Sequence, residues 1–414
     1  MDAAAHPMDR PRVKVCIVSC HPELKGGGGA YFRSVFNILR ARPEIELSIV
    51  STALDKDNSL HIEPLPYLLG RAPGTSRESL GNVPVLVSGS VRRLEALAYR
   101  GPRANWLPAV AAADIVLSVA GAGMLAYPLT GTGRRYVVFA ATSLRDEKKY
   151  TPTGALRKLL YLLNYPVLRA MEKRIFREAA LVFALVPSMC EIIGRENDVA
   201  AAKFRIFPVP VDAERVSPGP NPPVPGNIVW MARHDDRRKN TRLLLRATAE
   251  VAKLYPEVSL TLLGTKPPPR LMAEARRLGL ESRLEVLGWV SEEEKLERLR
   301  RADVFVIPSE QEGLCIAGLE AMACAVPVVS TRCGGPEGFV REGVNGFLTP
   351  RNDPAALAAR IGRLIGDRAL RDRLGQAARR MILEEYSRER ADAVVMQALR
   401  EVWPEKFDRG TGRR

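Results

Sequence analysis

Residues 304–350 read VFVIPSEQEGLCIAGLEAMACAVPVVSTRCGGPEGFVREGVNGFLTP, and they decide the fold. Short apolar runs at 304–307 and 326–330 suit buried parallel strands, and a helix-spaced segment joins them. The pattern is strand, turn, helix, strand, turn, helix. Open parallel sheets bind ligands beyond the carboxyl ends of their strands, where residues 308–314 must lie. Gly313 allows a close bend there, and a helix starting near Leu314 or Cys315 would aim its free amides at an anion. Two carboxylates frame the turn, Glu312 in the loop and Glu320 in the helix. A helix start near Cys315 puts Glu320 roughly 7 Å along the axis. Carboxylates accept hydrogen bonds from vicinal hydroxyls, so Glu312 suits a sugar and Glu320 a ribose. The bland alternative is a solvated loop charge and an ordinary helix-surface residue.

Outward from this segment the alternation continues in both directions. Apolar runs at 228–231, 259–263 and 284–287 precede it, separated by amphipathic helices. Further runs at 13–19, 45–51, 114–120, 136–141 and 181–186, with helical spacing at 31–42 and 156–177, predict a second unit of the same kind. Both units are therefore α/β, Rossmann-like, with doubly wound parallel sheets. Between them SPGPNPPVPGN, residues 217–227, holds five prolines and two glycines and breaks helix and sheet alike. The expected division is 1–220 and 221–387, with the final helix, 388–405, joined to the first domain.

The chain has 414 residues, 46% hydrophobic and 26% charged, the balance of a globular protein with more than one core. Its net charge of +15 favours anionic partners, but the arginines are scattered and no nucleic-acid motif accompanies them. Nucleic acid is not expected. Cys16, Cys20, Cys190, Cys315, Cys324 and Cys333 form no CxxC pair, which argues against a zinc site or a disulfide framework. No apolar stretch precedes the first strand, so the expected location is the cytosol, with the inner face of the membrane allowed. Residues 115–129 are uncharged but short of a membrane span and broken by Gly121, Gly123 and Pro128; they read as a strand, a turn and a short helix. The apolar stretch 159–168, flanked by Arg157, Lys158 and Arg169, permits peripheral membrane contact, although such stretches are commonly buried helices.

Two further elements fit an anionic ligand. In MARHDDRRKNTRLLLRA, Arg233 ends the first strand of the second domain and Lys239 precedes a helix; two cations there could neutralise a diphosphate and stabilise it as it leaves. Near the N-terminus Gly26 to Gly29 stand before a helix, and such a loop can approach a ligand closely, although it lacks the GxGxxG spacing.

Taken together, Glu312, seven intervening residues and Glu320, with the EGL turn, LEAMA and PVVSTRCGGPEG, resemble family 4 of the retaining glycosyltransferases, glycosyl transferases group 1. The resemblance implies the GT-B fold, two Rossmann-like domains facing a cleft. It implies that Glu312 contacts donor-sugar hydroxyls, that Glu320 contacts the ribose, and that the amides of Leu314, Cys315 and Ile316 hold the diphosphate. The strand-Arg, loop, Lys-Asn element of the family resembles Arg233 to Asn240 with one extra residue, so Arg238 competes with Lys239 for the lysine's role. LEVLGWVSEEEKLERLRRADVFVIPS resembles the segment whose backbone, from Gly288 to Val290, lies beside the base; otherwise Gly288 closes a turn and Ser291 caps a helix. Gly27, Gly28 and Gly29 are similar to the family's glycine loop facing the donor phosphates. The family's usual histidine after residues 136–141 is missing; AATSLRDEKK stands there, leaving Thr142 or Ser143 as replacements.

The implied activity is retaining transfer of a hexosyl unit from a nucleotide sugar, UDP favoured over GDP, to an acceptor hydroxyl on a lipid-linked sugar, a polysaccharide or a small metabolite. Catalysis would fall to Arg233, Lys239 and Glu312. No cofactor or metal is expected, since cations and amides supply the positive charge. With no carboxylate placed as a nucleophile in the first domain, a front-face path is expected. The rival reading from another class is a non-catalytic sugar-nucleotide scaffold or sensor, and a phosphorylase or epimerase is a lesser one.

Overall fold

The computed structural model describes residues 12–20, 27–53, 58–149 and 155–407, with the side chains of 148–149 and 155–163 outside the description. The chain divides into two compact units, residues 1–207 with 392–414, and residues 208–391. The proline-rich stretch 217–227 runs within the second of these, where the Val224 N–H donates to the Arg301 carbonyl.

In the first unit the strands are β1 (Val13–Cys20), β2 (Ile45–Thr52), β3 (Thr75–Leu80), β4 (Val83–Ser88), β5 (Ile115–Ala120), β6 (Val137–Ala140), β7 (Leu181–Ala184) and β8 (Phe204–Ile206). They form one sheet in the order β3-β4-β2-β1-β5-β6-β7-β8, parallel except for β3, which pairs antiparallel with β4. The central strands are apolar on both faces because helices cover both, which is why their sequences run without polar alternation. Tyr31, Phe139, Phe183 and Phe207 pack together in the core, with Phe139 and Phe183 stacked at 4.3 Å. The uncharged 115–129 stretch is β5 followed by a 3-10 turn, Met124–Leu129.

The helix Arg388–Val402 carries the chain back to this unit at residue 392, and a short helix, Pro404–Phe407, follows it. Asp392 pairs with Arg42, Glu401 takes two hydrogen bonds from Arg205 (2.6 and 2.8 Å), and Lys406 meets Asp114 at 2.5 Å. Trp403 is buried beside Arg135, which also pairs with Glu405.

The second unit has β9 (Asn227–Ala232), β10 (Ser259–Gly264), β11 (Leu284–Gly288), β12 (Val304–Ile307), β13 (Val328–Thr331) and β14 (Gly346–Thr349). All are parallel, in the order β11-β10-β9-β12-β13-β14. The chain builds outward from β9 to β11, then crosses to the other side of β9 for β12. The loops after β9 and β12 thus leave neighbouring strands in opposite directions, opening a crevice at the switch point. All six cysteines are free thiols.

Candidate functional site

The switch point of the second sheet is closed by an ion pair. Asp236 accepts from the Arg238 N–H at 3.0 Å and so caps the short 3-10 turn Arg237–Lys239 after β9. The turn aims Lys239 at the loop after β12, where its ammonium donates to both oxygens of Glu312 at 2.8 and 2.9 Å. Ser309 adds a hydrogen bond to Glu312 Oε1 at 2.6 Å. Glu312 is 7% exposed, so it is not a solvated loop charge. Burial works against the charge of Lys239, yet the facing Glu312 carboxylate outweighs it and holds the ammonium above the usual lysine value.

Of the two cations competing for this place, Lys239 occupies it. Arg238 is turned to Asp236, with Nε at 3.1 Å and a terminal nitrogen at 2.7 Å. Arg233 also reaches Asp236, at 2.9 Å, and stands 57% exposed rather than beside Glu312. Burial would raise the carboxyl of Asp236, but Arg238 and Arg233 keep it below the ordinary aspartate range.

The β12 loop is held by the turn after β13. Glu312 donates its N–H to the Cys333 carbonyl, and its own carbonyl accepts from the Gly335 N–H, both at 2.9 Å. Gly335 is required here: a Cβ would stand 2.6 Å from the backbone of Leu314. The helix Ile316–Ala323 then starts one residue later than the sequence implies, with Cys315 as N-cap at φ 73°. Glu320 accordingly lies about 6 Å along the axis. Among the described residues, the N–H groups of Gly313, Leu314, Cys315 and Ile316 make no backbone hydrogen bond. Four amides without a backbone partner therefore follow Glu312, the residue that Lys239 holds, and such a run at a helix start suits an anion.

Glu320 is mostly buried and pairs with Lys295 at 2.8 Å, an interaction the sequence reading missed. Burial pushes the Glu320 carboxyl above the usual glutamate value, against the pull of Lys295. Lys295 belongs to the helix Glu292–Arg300, and a signal for it existed: it stands beside Leu296 and Leu299, the helix's buried face. Ser291 caps that helix through the Glu294 N–H at 3.1 Å, and Gly288 ends β11 at φ 71°, so the turn-and-cap roles are filled. Between them Trp289 is 75% exposed and Val290 half-buried.

His234, next to Arg233, is buried. Its Nδ1 lies 3.0 Å from Thr241 Oγ1 and its Nε2 2.9 Å from the Leu263 carbonyl. Burial pushes its imidazole down to about 4, which keeps it neutral and structural.

In the first unit, Gly27, Gly28 and Gly29 form the first turn of the helix Gly27–Arg40 instead of a loop before it. Gly26 lies outside the described residues. After β6, Ser143 is buried and caps the helix Leu144–Lys149 through the Asp146 N–H at 3.2 Å. Thr142 is half-buried; its N–H donates to the Gly121 carbonyl at 3.2 Å and its hydroxyl makes a long contact, 3.4 Å, to the Ser143 carbonyl. Of the apolar stretch 159–168, the side chains of 159–163 lie outside the description; Leu168 is fully buried.

Among the described residues no helix is long and apolar enough to cross a membrane, and no cluster of three metal-ligating side chains is present.

Comparison with known proteins places a family match within the second unit. Residues 212–381 match the family described as glycosyl transferases group 1. The D-inositol 3-phosphate glycosyltransferase of Corynebacterium jeikeium is 28% identical over 229 residues, 51% of this chain and 55% of that protein. The chain spans about half the length of the curated relatives it matches. Among solved structures, a sucrose-phosphate synthase from Thermosynechococcus elongatus has a TM-score of 0.75 at 20% identity, covering 95% of this chain and 100% of that one. HepE of Anabaena, solved in complex with UDP, has a TM-score of 0.70 at 18% identity, covering 94% and 100%. At these identities the likeness is one of fold.

Proposed function

For a chain that has the GT-B fold and whose residues 212–381 belong to the glycosyl transferases group 1, we propose a nucleotide-sugar-dependent glycosyltransferase with its donor site in the second unit. The observation that carries this is the junction of Lys239, Glu312 and Ser309 at the switch point, beside the amides of Gly313 to Ile316. A diphosphate fits there because amide donors and an ammonium together neutralise two negative charges without a proton transfer. Glu312 faces the sugar hydroxyls, Glu320 the ribose, and the backbone from Gly288 to Val290 the base.

The leaving diphosphate gains charge as the glycosidic bond breaks, and fixed donors that meet it lower the barrier without reorganising. Lys239 is the principal cation; Arg233, held by Asp236, is a secondary one. The transfer proceeds with retention, by departure and attack on one face, and it needs no metal. The donor base is uracil, a choice supported by the UDP-bound neighbour of like fold. The acceptor is a hydroxyl of a sugar-bearing lipid, a polysaccharide or a small metabolite. Thr142 takes the place of a missing histidine in the first unit.

The test is a thermal-shift panel of UDP, GDP, ADP and their sugar conjugates, since a ligand specific to the folded state raises the melting temperature with its affinity. A shift with one base supports the reading and selects the labelled sugar for transfer assays. Lys239→Ala and Glu312→Ala should each lower turnover at least roughly tenfold. No shift with any nucleotide, or undiminished turnover in both variants, overturns the site. Proton NMR of the product's anomeric signal decides retention.

A further inference from the structure

Three of the large exposed hydrophobic side chains fall within one short segment of the first unit. Leu65, Leu68 and Leu69 are 67%, 68% and 77% exposed, on and just after the five-residue helix Pro64–Leu68. Their spacing, i, i+3, i+4, puts all three on one face of the turn. That face is turned to solvent, where isolated apolar residues are common but a cluster marks an interaction site.

The leucines are held out by a tied-down base. The segment is tied down on both sides of the helix: Ile62 pairs with Val91, the Arg92 N–H donates to the Ile62 carbonyl at 2.9 Å, and the Gly74 N–H donates to the Leu60 carbonyl at 2.8 Å. The Asn105 amide adds a bond to the Pro73 carbonyl at 3.0 Å. Gly89 lies so close beneath that a Cβ there would meet the Leu60 carbonyl oxygen at 1.8 Å. Pro64 and Pro66 fix their own φ within the helix. The projection is therefore built, and its apolar face is preorganised.

The charge around it is positive. Arg71 follows the helix and is exposed, and Arg93, 79% exposed, stands at its start. Glu63 at that start is shared by Arg93 at 3.2 Å and Arg92 at 4.0 Å. A second copy of the chain docked face to face would bring two arginine-rimmed patches together, a like-charge pairing that opposes an isologous dimer. Apolar side chains rimmed by arginine suit the interface of an anionic bilayer, where leucines enter the acyl boundary and guanidiniums meet lipid phosphates.

We propose that Leu65, Leu68 and Leu69, with Arg71 and Arg93, dock the first unit on an anionic lipid surface. This surface is distinct from the stretch 159–168, and it does not depend on the donor site.

The test sediments the full chain with vesicles of phosphatidylcholine alone and of phosphatidylcholine mixed with phosphatidylglycerol. Wild type should sediment with the mixed vesicles, less so in high salt, and little with the neutral ones. The variant Leu65→Ser/Leu68→Ser/Leu69→Ser should lose affinity by about tenfold or more, and Arg71→Glu/Arg93→Glu should lose a comparable share with the leucines intact. Both variants replace exposed side chains, so unchanged melting temperatures will show that they fold. Absence of wild-type sedimentation overturns the proposal, as does a leucine variant that sediments like wild type. A wild-type dimer that the leucine variant dissolves also overturns it, by making a second copy the occupant.

Discussion

Cys315 holds φ at 73°, in the left-handed region where a side chain crowds its own backbone. The residue sits between Glu312 and the helix Ile316–Ala323, so its conformation sets where the amides of the turn point. A β-branched residue there meets the greatest crowding and glycine none. Cys315→Val should therefore be less stable than Cys315→Gly by about 1–2 kcal/mol, read from urea midpoints; equal midpoints would mean that the thiol's packing governs the position. His234 offers a second residue-scale test. Its folded-state value, pushed by burial to about 4, lies below its ordinary 6.5, so the unfolded chain takes up the proton first. The stability tied to this group is fully present above pH 6.5 and is lost as pH falls toward 4, up to roughly 3 kcal/mol in total. His234→Gln should flatten the dependence in that window, in urea titrations at pH 7, 6, 5 and 4. Parallel curves for variant and wild type would remove His234 as the cause.

At the level of elements, the turn after β13 is the clamp on the loop after β12. A methyl group at residue 335 cannot fit against the Leu314 backbone, so Gly335→Ala must displace the loop. The expected result is a loss of about 1–3 kcal/mol in stability, together with a smaller nucleotide-induced melting shift. Gly121→Ala is the control, because a Cβ there meets nothing within 4 Å; an equal loss in both would refute the clamp. What the sequence made legible follows from the same physics. Strands buried on both faces, such as Val137–Ala140 and Val304–Ile307, read as unbroken apolar runs and stood out. The edge strand Thr75–Leu80, TSRESL, is polar and exposed and left no such trace. Glu312 and Glu320 were legible because their spacing lies within one segment. Lys295, in contrast, reaches Glu320 from a different helix, and sequence periodicity can mark it as buried without naming its partner. The glycines at 27–29 misled in detail, since a run of glycine reads as loop while here it begins a helix.

On the scale of the whole chain, the first unit is assembled from two separated pieces, 1–207 and 392–414. The second piece supplies the carboxylates of Asp392, Glu401 and Glu405 to Arg42, Arg205 and Arg135, and it buries Trp403. A chain ended after residue 391 keeps every strand of both sheets and loses these contacts. It should leave the first unit open to limited proteolysis while residues 208–391 stay protected; a truncated chain whose first unit resists cleavage as well as the full one would refute this.

That arrangement has a consequence during synthesis. A ribosome releases the second unit's segment as a continuous stretch, so that unit can close while translation is still running. The first unit, begun before it, must wait for the codons of residues 392–407 before the helix that completes it exists. A message cut before those codons therefore yields a protein that fails in its first unit, and the cell's proteases would meet it there.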